Sequence, residues 1–469
     1  MKAEKYTDVV AYIFSLCFIV AGVLVSLNRF WQYEVFYYDF GIFDSAIWEV
    51  SRFRAPIIEH FVIGGKWIFA DHFSPSIFLL TPFFWITQRS EILLVVQAIV
   101  VGVSGMVLYN IGINVIKNRL LSLSILICYF LFTGLQNAVI TDFHELTIMT
   151  LPLMLTFWAL LRKKVVLFYI FLIITLGFKE VTFLLGIGIG ISILFINRGW
   201  FKIGLITILL SSLWGIISIK IIIPYFSGGI YIYDVPLPSG FVDKVYAFVD
   251  NPTKQKTLFY SFLSFGYLPI ISPSFWFLIV QDYALRFIPF NFNTRWDLGL
   301  HYNAQSAVIL ALASIFSFRV LKKILNLRTL SFFALMLIVS AIFLYRFVLH
   351  GPFALAYNPA FYKHTSDFKF LDSMIDKVPK EATVMTHNNL AVRFTHQKVW
   401  LLRQNYSYYK PDYILIDLRS GQNPNNFYGT DNYASIAAQL KIDPNYSLLY
   451  HTESQFVFKI RAEKNKSQL

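Results

Sequence analysis

The feature that constrains the fold most is a series of long apolar runs spread over the first three quarters of the chain. A run of about 17–25 apolar residues can cross a bilayer as an α-helix, because a helix satisfies its own backbone hydrogen bonds where water is absent. Charged residues make up 14% of the chain, against about 25% in soluble domains. The sequence therefore predicts a polytopic α-helical membrane protein and excludes a soluble enzyme, a disordered chain and a disulfide-stapled secreted domain.

About eleven spans are predicted, of which the first is retained rather than cleaved as a signal peptide. Their approximate bounds are Val9–Leu27, Ile92–Ile116, Leu120–Asn137, Leu146–Leu161, Val165–Phe178, Val181–Ile196, Phe201–Ile223, Thr257–Ile271, Ser274–Phe287, Ala304–Phe318 and Leu330–Leu349. The apolar segment Pro75–Thr87 is shorter and is predicted to be an interfacial or re-entrant helix, since it does not reach the length of a crossing.

The charged residues segregate between alternate loops of this assignment. One set carries Lys117 and Arg119, then residues 162–164, then Arg198 and Lys202, then residues 319–328, and none of these loops contains an Asp or Glu. Cytoplasmic loops are enriched in Lys and Arg, which also accounts for the net charge of +13 without a nucleic-acid partner. We therefore predict a multi-pass protein of the plasma membrane with a cytoplasmic N-terminus.

The composition changes after Gly351-Pro352, where no later run is long enough to span a membrane. The prediction is a transmembrane domain over residues 1–350 and an extracytoplasmic α/β domain over residues 351–469. The predicted strands of the second domain are Ala382–Thr386, Tyr413–Asp417, Ser447–Tyr450 and Gln455–Ile460, and the predicted helices are Asp367–Lys377 and Tyr433–Leu440. Two external loops, residues 28–74 and 224–256, are too long for simple connectors and are expected to carry function.

Two acidic residues follow the first span in the segment Tyr37–Asp44. Asp39 is predicted to lie near the membrane surface among aromatic residues, where a carboxylate suits a proton acceptor. The alternative is that Asp39 caps an interfacial helix starting near Phe40 and that Asp44 simply faces water. Asp39 is therefore a candidate catalytic residue and Asp44 a candidate substrate-binding residue.

A second polar cluster, Thr141–Glu145, stands at the outer start of a predicted span. Asp142 and Glu145 are three residues apart and would share a helix face. A capping box, with Asp142 as cap and Glu145 three residues on, explains the same spacing without a function. Asp142 and His144 are candidate catalytic residues that would orient the base or the acceptor, whereas Glu145 is assigned no role.

Lys179 and Glu180 lie between two apolar runs with almost no loop. Either the adjacent charges neutralise each other, or the cation is held at the outer rim of the membrane to meet a phosphate. Arg295 is a second candidate phosphate ligand, with a plain rim position as the alternative. The full set of candidate substrate-binding residues is Asp44, His72, Lys179, Glu180, Arg295 and His301.

No cofactor is certain from the sequence. External histidines and carboxylates, among them His60 and Asp71-His72, are ligand types for a divalent ion, but their spacing is not that of a tight metal site. A divalent metal ion is therefore only a possible cofactor. The sequence lacks a Gly-rich phosphate loop, a Walker pattern and the common hydrolase motifs, so ATP-driven transport and ordinary hydrolysis are unsupported.

The order of these motifs resembles a prokaryotic membrane family called domain of unknown function 2079, over roughly residues 30–420. The matching motifs are Asp39-x-Gly41-x-x-Asp44, His72-Phe73-Ser74-Pro75, Asp142-Phe143-His144, Lys179-Glu180, His301-Tyr302 and the strand Asp412–Asp417. Each motif is weak alone, whereas the ordered set is fairly specific. That family is grouped with the GT-C glycosyltransferases.

The resemblance implies a GT-C-like, inverting transferase of the cell envelope that works on the outer face of the membrane. Its partners would be membrane lipid, a polyprenyl-phosphate-sugar donor and a glycan, lipid or protein acceptor, with no nucleic acid. In that superfamily an acidic residue early in the first external loop acts on the acceptor, and Asp39 is the matching position. A second external acidic residue near the end of the third span corresponds to Asp142.

Two other classes of function remain open from the sequence. A lipid or solute transporter would also have many spans, but its ionisable groups would lie near the middle of the bilayer. A non-catalytic membrane assembly subunit would need only the spans and the external domain. The transferase requires the candidate residues to meet in one pocket at the membrane rim, whereas the other two classes do not.

Overall fold

The computed structural model describes residues 2–58, 65–229, 231, 233, 236–289, 293–419 and 433–461. Its helices up to residue 357 are α1 (Lys2–Trp31), α2 (Ile42–Ser51), α3 (Phe83–Ile86), α4 (Ile92–Ile116), α5 (Arg119–Leu131), α6 (Thr133–Ile140), α7 (Glu145–Ile148), α8 (Thr150–Leu161), α9 (Val165–Leu176), α10 (Thr182–Ile196), α11 (Phe201–Ile217), α12 (Ile223–Ser227), α13 (Phe241–Tyr246), α14 (Pro252–Ser264), α15 (Trp276–Phe287), α16 (Asn303–Leu321) and α17 (Leu327–Phe343). They are followed by α18 (Pro359–Asp367), α19 (Asp372–Ile375), α20 (Asn388–Ala391), α21 (Tyr406–Tyr409) and α22 (Tyr433–Ile442).

Asparagine side chains begin several of these helices. The side chains of Asn118, Asn251, Asn326 and Asn358 each accept a hydrogen bond from a backbone N–H in the first turn of the helix that follows. Asn is among the best N-cap residues because it satisfies a donor that the helix itself leaves unpaired. Proline follows the cap in α14 and α18, where its missing N–H costs nothing.

The chain forms two compact units, and neither is a single continuous segment. Unit 1 comprises Met1–Ser26, Phe69–Leu79 and Ile92–Tyr357, and unit 2 comprises Leu27–Ile68, Leu80–Glu91 and Asn358–Leu469. The second unit thus combines most of the predicted first external loop with the C-terminal segment. The predicted boundary between residues 350 and 351 lies close to the division after Tyr357.

Five helices among the described residues are long and apolar enough to cross a membrane, or six if the pair α5 and α6, bent by 49°, is one span. The five are Tyr6–Trp31, Ile92–Ile116, Arg198–Ser227, Asn303–Leu321 and Leu327–Val348. The prediction of eleven spans is therefore not confirmed. Helices α9 and α10 have 12 and 15 residues, about 18 and 22 Å at 1.5 Å per residue, which is short of the roughly 30 Å hydrocarbon core.

The segment Pro75–Ile86 also remains too short to cross as one helix. It consists of a 3₁₀-helix, Pro75–Leu80, followed by the single turn of α3. Proline at residue 82 stands between the two pieces and cannot donate the backbone hydrogen bond that a continuous helix would need.

Polar contacts distinguish the two ends of the long helices in unit 1. At the C-terminal end of α4, Lys322 Nζ donates a hydrogen bond to the carbonyl oxygen of Ile116 at 2.6 Å. Near the other end of α4, Gln97 Nε2 donates to the carbonyl oxygen of Asp142 at 2.7 Å. Gln97 and Ile116 are about 28 Å apart along the helix, close to the thickness of a hydrocarbon core. Within unit 1, Asp142 and the basic residue Lys322 therefore lie at opposite ends of α4.

Unit 2 contains a five-stranded sheet with the strand order β4-β3-β5-β7-β6 and a two-stranded hairpin, β1-β2. The bounds are β1 (Ile57–Ile58), β2 (Lys66–Trp67), β3 (Val384–Thr386), β4 (Val399–Leu401), β5 (Tyr413–Asp417), β6 (Tyr446–His451) and β7 (Gln455–Ile460). Strand β3 pairs in parallel with β4 and β5, whereas β7 is antiparallel to β5 and β6. This confirms the predicted C-terminal α/β fold, in which β4 had not been recognised.

The sheet packs one face against α22, and this contact forms the core of the C-terminal segment. Buried residues from β5 and β7, including Ile414, Ile416 and Phe458, cluster with Ile436 and Leu440 of α22. Strand β5 is buried at all five positions, so its apolar side chains leave water on both faces of the sheet. Burial of this kind contributes roughly 25 cal/mol for each Å² of apolar surface.

Candidate functional site

A cavity of about 140 Å³ lies in unit 1 among the loops at the Gln97 end of α4. This is below the roughly 300–1,000 Å³ of a typical small-molecule pocket, so the space suits a compact headgroup. Its basic residues outnumber its acidic ones by three to two, which favours an anion. The polar and aromatic residues that line it are His72, Lys179, Glu180, Tyr231, Tyr233, Asp282, Arg286, Arg295, Tyr302 and Gln305.

Glu180 is fully buried and holds one wall of this cavity together. Its carboxylate contacts His72 Nδ1 at 3.0 Å and accepts hydrogen bonds from the Phe73 backbone N–H and the Tyr231 hydroxyl, each at 3.3 Å. Burial raises the pKa of Glu180, but the charge and hydrogen bond of His72, together with the charge of Lys179 and a backbone hydrogen bond, outweigh burial and lower the pKa to about 2. Glu180 therefore stays ionised at neutral pH and fixes the turn that carries His72.

A close approach at Gly177 brings that turn to Glu180. The carbonyl oxygen of Gly177 accepts a hydrogen bond from the Ser76 N–H at 2.8 Å, and Ser76 Oγ donates to the carbonyl of Ile174 at 2.8 Å. A Cβ atom at residue 177 would lie 2.2 Å from Ser76 Oγ, which no real contact permits. Glycine is therefore needed at residue 177. Because Ser76 follows His72 and Gly177 precedes Glu180 by only a few residues, the contact between Ser76 and Gly177 also brings the His72 and Glu180 side chains together.

Lys179 is paired with Glu145 rather than with its neighbour in sequence. Lys179 Nζ donates to Glu145 Oε1 at 2.8 Å, and the Glu145 side chain is 1% exposed. Burial opposes the charge of Lys179, but the carboxylates of Glu145 and Glu180 outweigh burial and raise its pKa. The alternative that Lys179 and Glu180 neutralise only each other is wrong, because each has its own partner from a distant segment.

Two buried histidines stack next to this ion pair. The rings of His144 and His301 lie 3.5 Å apart with an angle of 22° between their planes, and His144 Nδ1 is 4.0 Å from Glu145 Oε2. Burial, followed by the positive neighbours His144 and Lys179, lowers the pKa of His301 well below its usual range. His301 is therefore neutral at pH 7, and the ring of Tyr302 lies 4.0 Å from it at an angle of 38°.

Asp142 does not form the capping box that its spacing suggests. Helix α7 begins at Glu145 with His144 as its N-cap, and no side chain makes the capping hydrogen bond. Asp142 is buried and adopts a positive φ of 96°, a conformation that is rare for residues other than glycine. Its carbonyl oxygen is held by Gln97, so the segment is fixed through its backbone.

Arg286 anchors the loop that carries Arg295 into the cavity. Arg286 Nε donates to the carbonyl oxygen of Arg295 at 2.8 Å, and Nη2 donates to that of Asp297 at 3.0 Å. A third bond joins Arg286 Nη1 to Ser306 Oγ at 3.1 Å, and Ser306 in turn donates to Asp282 at 2.5 Å. The buried guanidinium thus fixes two carbonyls of the loop and links them to a carboxylate on its own helix.

Six of the polar and aromatic cavity residues were not predicted as site residues: Tyr231, Tyr233, Asp282, Arg286, Tyr302 and Gln305. Asp282 and Arg286 are four apart in an apolar segment, the spacing of an ion pair along one helix face, and that signal could have identified them. Tyr231 and Tyr233 belong to the loop 224–256, which is predicted to be external, and no local pattern singles them out. Tyr233 stacks on His72 at 4.2 Å, a contact that depends on the fold.

Asp39 and Asp44 belong to unit 2 and are described within that unit. Asp39 lies inside a π-helical turn, Tyr37–Gly41, and is exposed. Among the described residues, none forms a hydrogen bond or ion pair with its carboxylate. Helix α2, which follows, has no side-chain cap, so the capping alternative for Asp39 is not observed.

Asp44 is fully buried, so the alternative that it faces water is wrong. Its Oδ2 atom accepts a hydrogen bond from Ser90 Oγ at 2.7 Å and lies 3.1 Å from His396 Nε2. The ring of His396 stacks on Trp48 at 3.9 Å with an angle of 5°. Asp44 therefore has protein partners within unit 2.

The described part of the chain contains no group of three or more His, Cys, Asp or Glu side chains arranged to hold a metal ion. His60 lies outside the described residues. The possible divalent metal therefore remains a prediction without assigned ligands.

The family described as predicted membrane protein DUF2079 matches residues 29–453. No curated protein sequence matches the chain. The crystal structure of ArnT from Cupriavidus metallidurans in the apo state is similar over 98% of both chains, with 10% sequence identity and a TM-score of 0.53. The structure of ArnT from the same organism bound to undecaprenyl phosphate covers 96% of this chain and 98% of its own, with 10% identity and a TM-score of 0.48.

Proposed function

Because the chain belongs to the DUF2079 family of predicted membrane proteins, as its motifs predict, we propose that it is a GT-C-like glycosyltransferase. ArnT is a GT-C glycosyltransferase, and the similarity of fold supports this class. In the proposed reaction a sugar moves from a polyprenyl-phosphate-linked donor to an extracytoplasmic acceptor.

The observation that carries the proposal is the cavity at one end of the apolar helices. Three basic residues, Lys179, Arg286 and Arg295, line it together with aromatic rings. A lipid-linked phosphate would place its tail among apolar helices and its charged head at their end, where cations attract it. Unit 1 therefore has apolar helices that suit the lipid tail of the donor and a basic cavity that suits its phosphate.

The donor phosphate is proposed to bind close to Arg295, with Lys179 nearby. Guanidinium groups bind phosphate oxygens in pairs, and the Arg295 loop is held in place from behind by Arg286. Lys179 is already bonded to Glu145, so its part is to add positive charge to the cavity. Such fixed charges stabilise the negative charge that develops on a leaving phosphate.

Asp39 is proposed as the general base. The acceptor oxygen forms a bond to the anomeric carbon while the bond from that carbon to the phosphate oxygen breaks. The acceptor proton passes to Asp39, and the phosphate leaves with the bonding electron pair, so that the anomeric centre inverts in one step. Asp142 or His144 is proposed to orient the acceptor or the base.

A transporter is less well supported by the position of the charged residues. The charged and aromatic cavity residues lie in the segments between the α-helices or, as at Asp282 and Arg286, in the last two turns of α15, and Gln305 lies in the first turn of α16. Transporters place their binding groups near the middle of the bilayer, at breaks within helices. Groups gathered at helix ends favour a reaction at the rim of the membrane.

Turnover of lipid-linked sugars tests the proposal. Purified protein in lipid nanodiscs would be incubated with a panel of undecaprenyl-phosphate-linked monosaccharides and a cell-envelope fraction as the source of acceptors. Released undecaprenyl phosphate would be measured by mass spectrometry. We expect Asp39→Asn to lower turnover by about 100-fold or more, the usual contribution of a general base, and Asp243→Asn, at an exposed acid of another loop, to change it little.

Two results would count against the proposal in different ways. An Asp39→Asn protein with a normal circular dichroism spectrum and full turnover would refute the assignment of the base. Release of undecaprenyl phosphate no greater than in empty nanodiscs, for every donor in the panel, would refute the transferase.

Binding of undecaprenyl phosphate alone separates the donor site from the chemistry. Arg295→Ala is expected to weaken binding by about 10- to 150-fold, because a hydrogen bond to a charged group contributes about 1.5–3 kcal/mol. Arg198→Ala, which removes an exposed basic residue outside the cavity, serves as the matched control. Equal loss in both variants would show nonspecific attraction to positive charge instead of a site at Arg295.

A further inference from the structure

The turn that carries Asp39 has an unusual backbone. Residues Tyr37–Gly41 form a π-helical turn that leads directly into α2. π-Helical turns are rare and are frequently found at functional sites. A Cβ atom at residue 41 would lie 2.3 Å from the ring of Tyr37, so the turn requires glycine at this position.

The C-terminal segment of unit 2 holds this turn just before Asp39. The backbone N–H of Tyr38 donates a hydrogen bond to Asn388 Oδ1 at 2.8 Å. Asn388 is the first residue of α20, which follows strand β3 of the sheet, and it is 5% exposed. The bond therefore fixes the backbone next to Asp39 to a buried side chain near the sheet.

A second set of contacts holds the chain just after the turn. Asp44 Oδ2 lies 3.1 Å from His396 Nε2, and Ser45 Oγ donates to the carbonyl oxygen of Thr395 at 2.8 Å. Trp48, one turn further along α2, stacks on the His396 ring. These contacts join the first two turns of α2 to the segment between α20 and β4.

Asp39 is the exposed member of an otherwise anchored segment. Its neighbour Phe40 and the anchoring Asp44 are fully buried, whereas Asp39 itself is exposed. Burial of Asp44 costs free energy unless the charge is paired, so its pairing with His396 selects one position for α2. The segment is thus rigid on both sides of a carboxylate that is open to an acceptor.

We propose that the C-terminal sheet domain positions the proposed base, and that Asn388 and His396 are positioning residues that act through the turn. This inference rests on the proposed function with Asp39 as the base. A base must lie within hydrogen-bond reach of the proton that it takes, and a displacement of about 1 Å can cost 100-fold in rate. Asn388 and His396 would therefore affect the rate through the position of Asp39, without contacting the substrate.

Kinetics of single variants in nanodiscs test this role. With the donor that the wild-type protein turns over, Asn388→Ala and His396→Ala are expected to lower kcat at least tenfold and to leave the KM for the donor unchanged. His396→Gln keeps an N–H donor near the position of Nε2 and is expected to recover most of kcat. His451→Ala, at an exposed histidine of the same domain, is the matched control and is expected to keep the wild-type rate.

Hydrogen exchange supplies a readout that does not depend on turnover. The amides of residues 38–42 are expected to exchange at least tenfold faster in Asn388→Ala and His396→Ala than in wild type, and at the wild-type rate in His451→Ala. If His396→Ala does not fold, Ser45→Ala removes only the bond to Thr395 and is expected to give a smaller change in the same direction. Unchanged exchange in Asn388→Ala and Ser45→Ala would overturn the inference.

The outcomes separate this inference from the function on which it rests. Full kcat in Asn388→Ala and His396→Ala, with Asp39→Asn inactive, would overturn the positioning role and leave Asp39 as the base. Full activity in Asp39→Asn would overturn the base itself. Loss of kcat in the two alanine variants with recovery in His396→Gln would support positioning.

Discussion

The ion pair between Lys179 and Glu145 allows a quantitative test of how the cavity is held together. Lys179 Nζ and Glu145 Oε1 are 2.8 Å apart, and the Glu145 side chain is 1% exposed. At an effective dielectric constant of about 20, two charges at this distance attract by about 6 kcal/mol. Much of this attraction offsets the cost of removing both ions from water, but the loss of one partner leaves the other charge buried alone.

The substitution Lys179→Met is expected to lower the free energy of unfolding by about 3–5 kcal/mol, the usual cost of breaking a buried pair. The cost of Glu145→Met is expected to be smaller, because Lys179 is 13% exposed and keeps Glu180 as a neighbour. The double variant Lys179→Met/Glu145→Met removes both charges and is expected to return to within about 1–2 kcal/mol of wild type. The coupling energy between the two substitutions is therefore expected to be at least about 2 kcal/mol.

Equilibrium unfolding in mixed detergent micelles, followed by far-ultraviolet circular dichroism, measures these free energies. Lys202→Met serves as the control, because that lysine is exposed and its loss is expected to change the free energy by less than about 0.5 kcal/mol. Single variants that cost less than about 1 kcal/mol each, with additive effects in the double variant, would refute the reasoning. The pair would then be solvated and would not organise the cavity.

Three further predictions follow from other contacts. Burial, only partly opposed by Asp417, lowers the pKa of His387 to about 4, and the neutral ring accepts the Asp417 N–H at 3.0 Å. The stability that this contact contributes is complete above pH 6.5 and is expected to fall by about 3 kcal/mol as the pH drops towards 4. Hydrogen exchange of strand β5, corrected for the intrinsic pH dependence of exchange, would detect this fall in wild type but not in His387→Gln. Gly177→Ala is expected to destabilise the protein by about 1–3 kcal/mol in thermal unfolding, and Ser76→Ala in the same chain to recover part of the loss. Arg286→Lys keeps the charge but loses the guanidinium fork, so binding of undecaprenyl phosphate in nanodiscs is expected to weaken about tenfold; unchanged binding would contradict the anchoring of its loop.

Local patterns were enough to predict the class of the protein and part of its fold. The apolar runs predicted a membrane protein, and the ordered motifs predicted the family that matches residues 29–453. In the C-terminal segment, the buried strand Tyr413–Asp417 was predicted at the bounds that the structure gives. These features depend on residues that are close in sequence, so composition and spacing carry them.

The number of spans was predicted less well. Hydropathy alone does not separate a full-length span from a shorter apolar helix, and α9 and α10 are of the second kind by length. The strand β4, with three residues, was too short to give a pattern. In both cases the environment of the segment, and not its own composition, decides its role.

The sequence by itself determined which residue types occur at the candidate site, because acidic, basic and histidine residues between the long runs of an apolar chain are few and therefore conspicuous. Only the tertiary structure decided which of them are partners. Lys179 bonds to Glu145 rather than to Glu180, and Asp44 is buried against His396, more than 300 residues away in the chain. Such pairings depend on the approach of distant backbone segments at contacts like that of Gly177, and spacing along the chain contains no record of that approach.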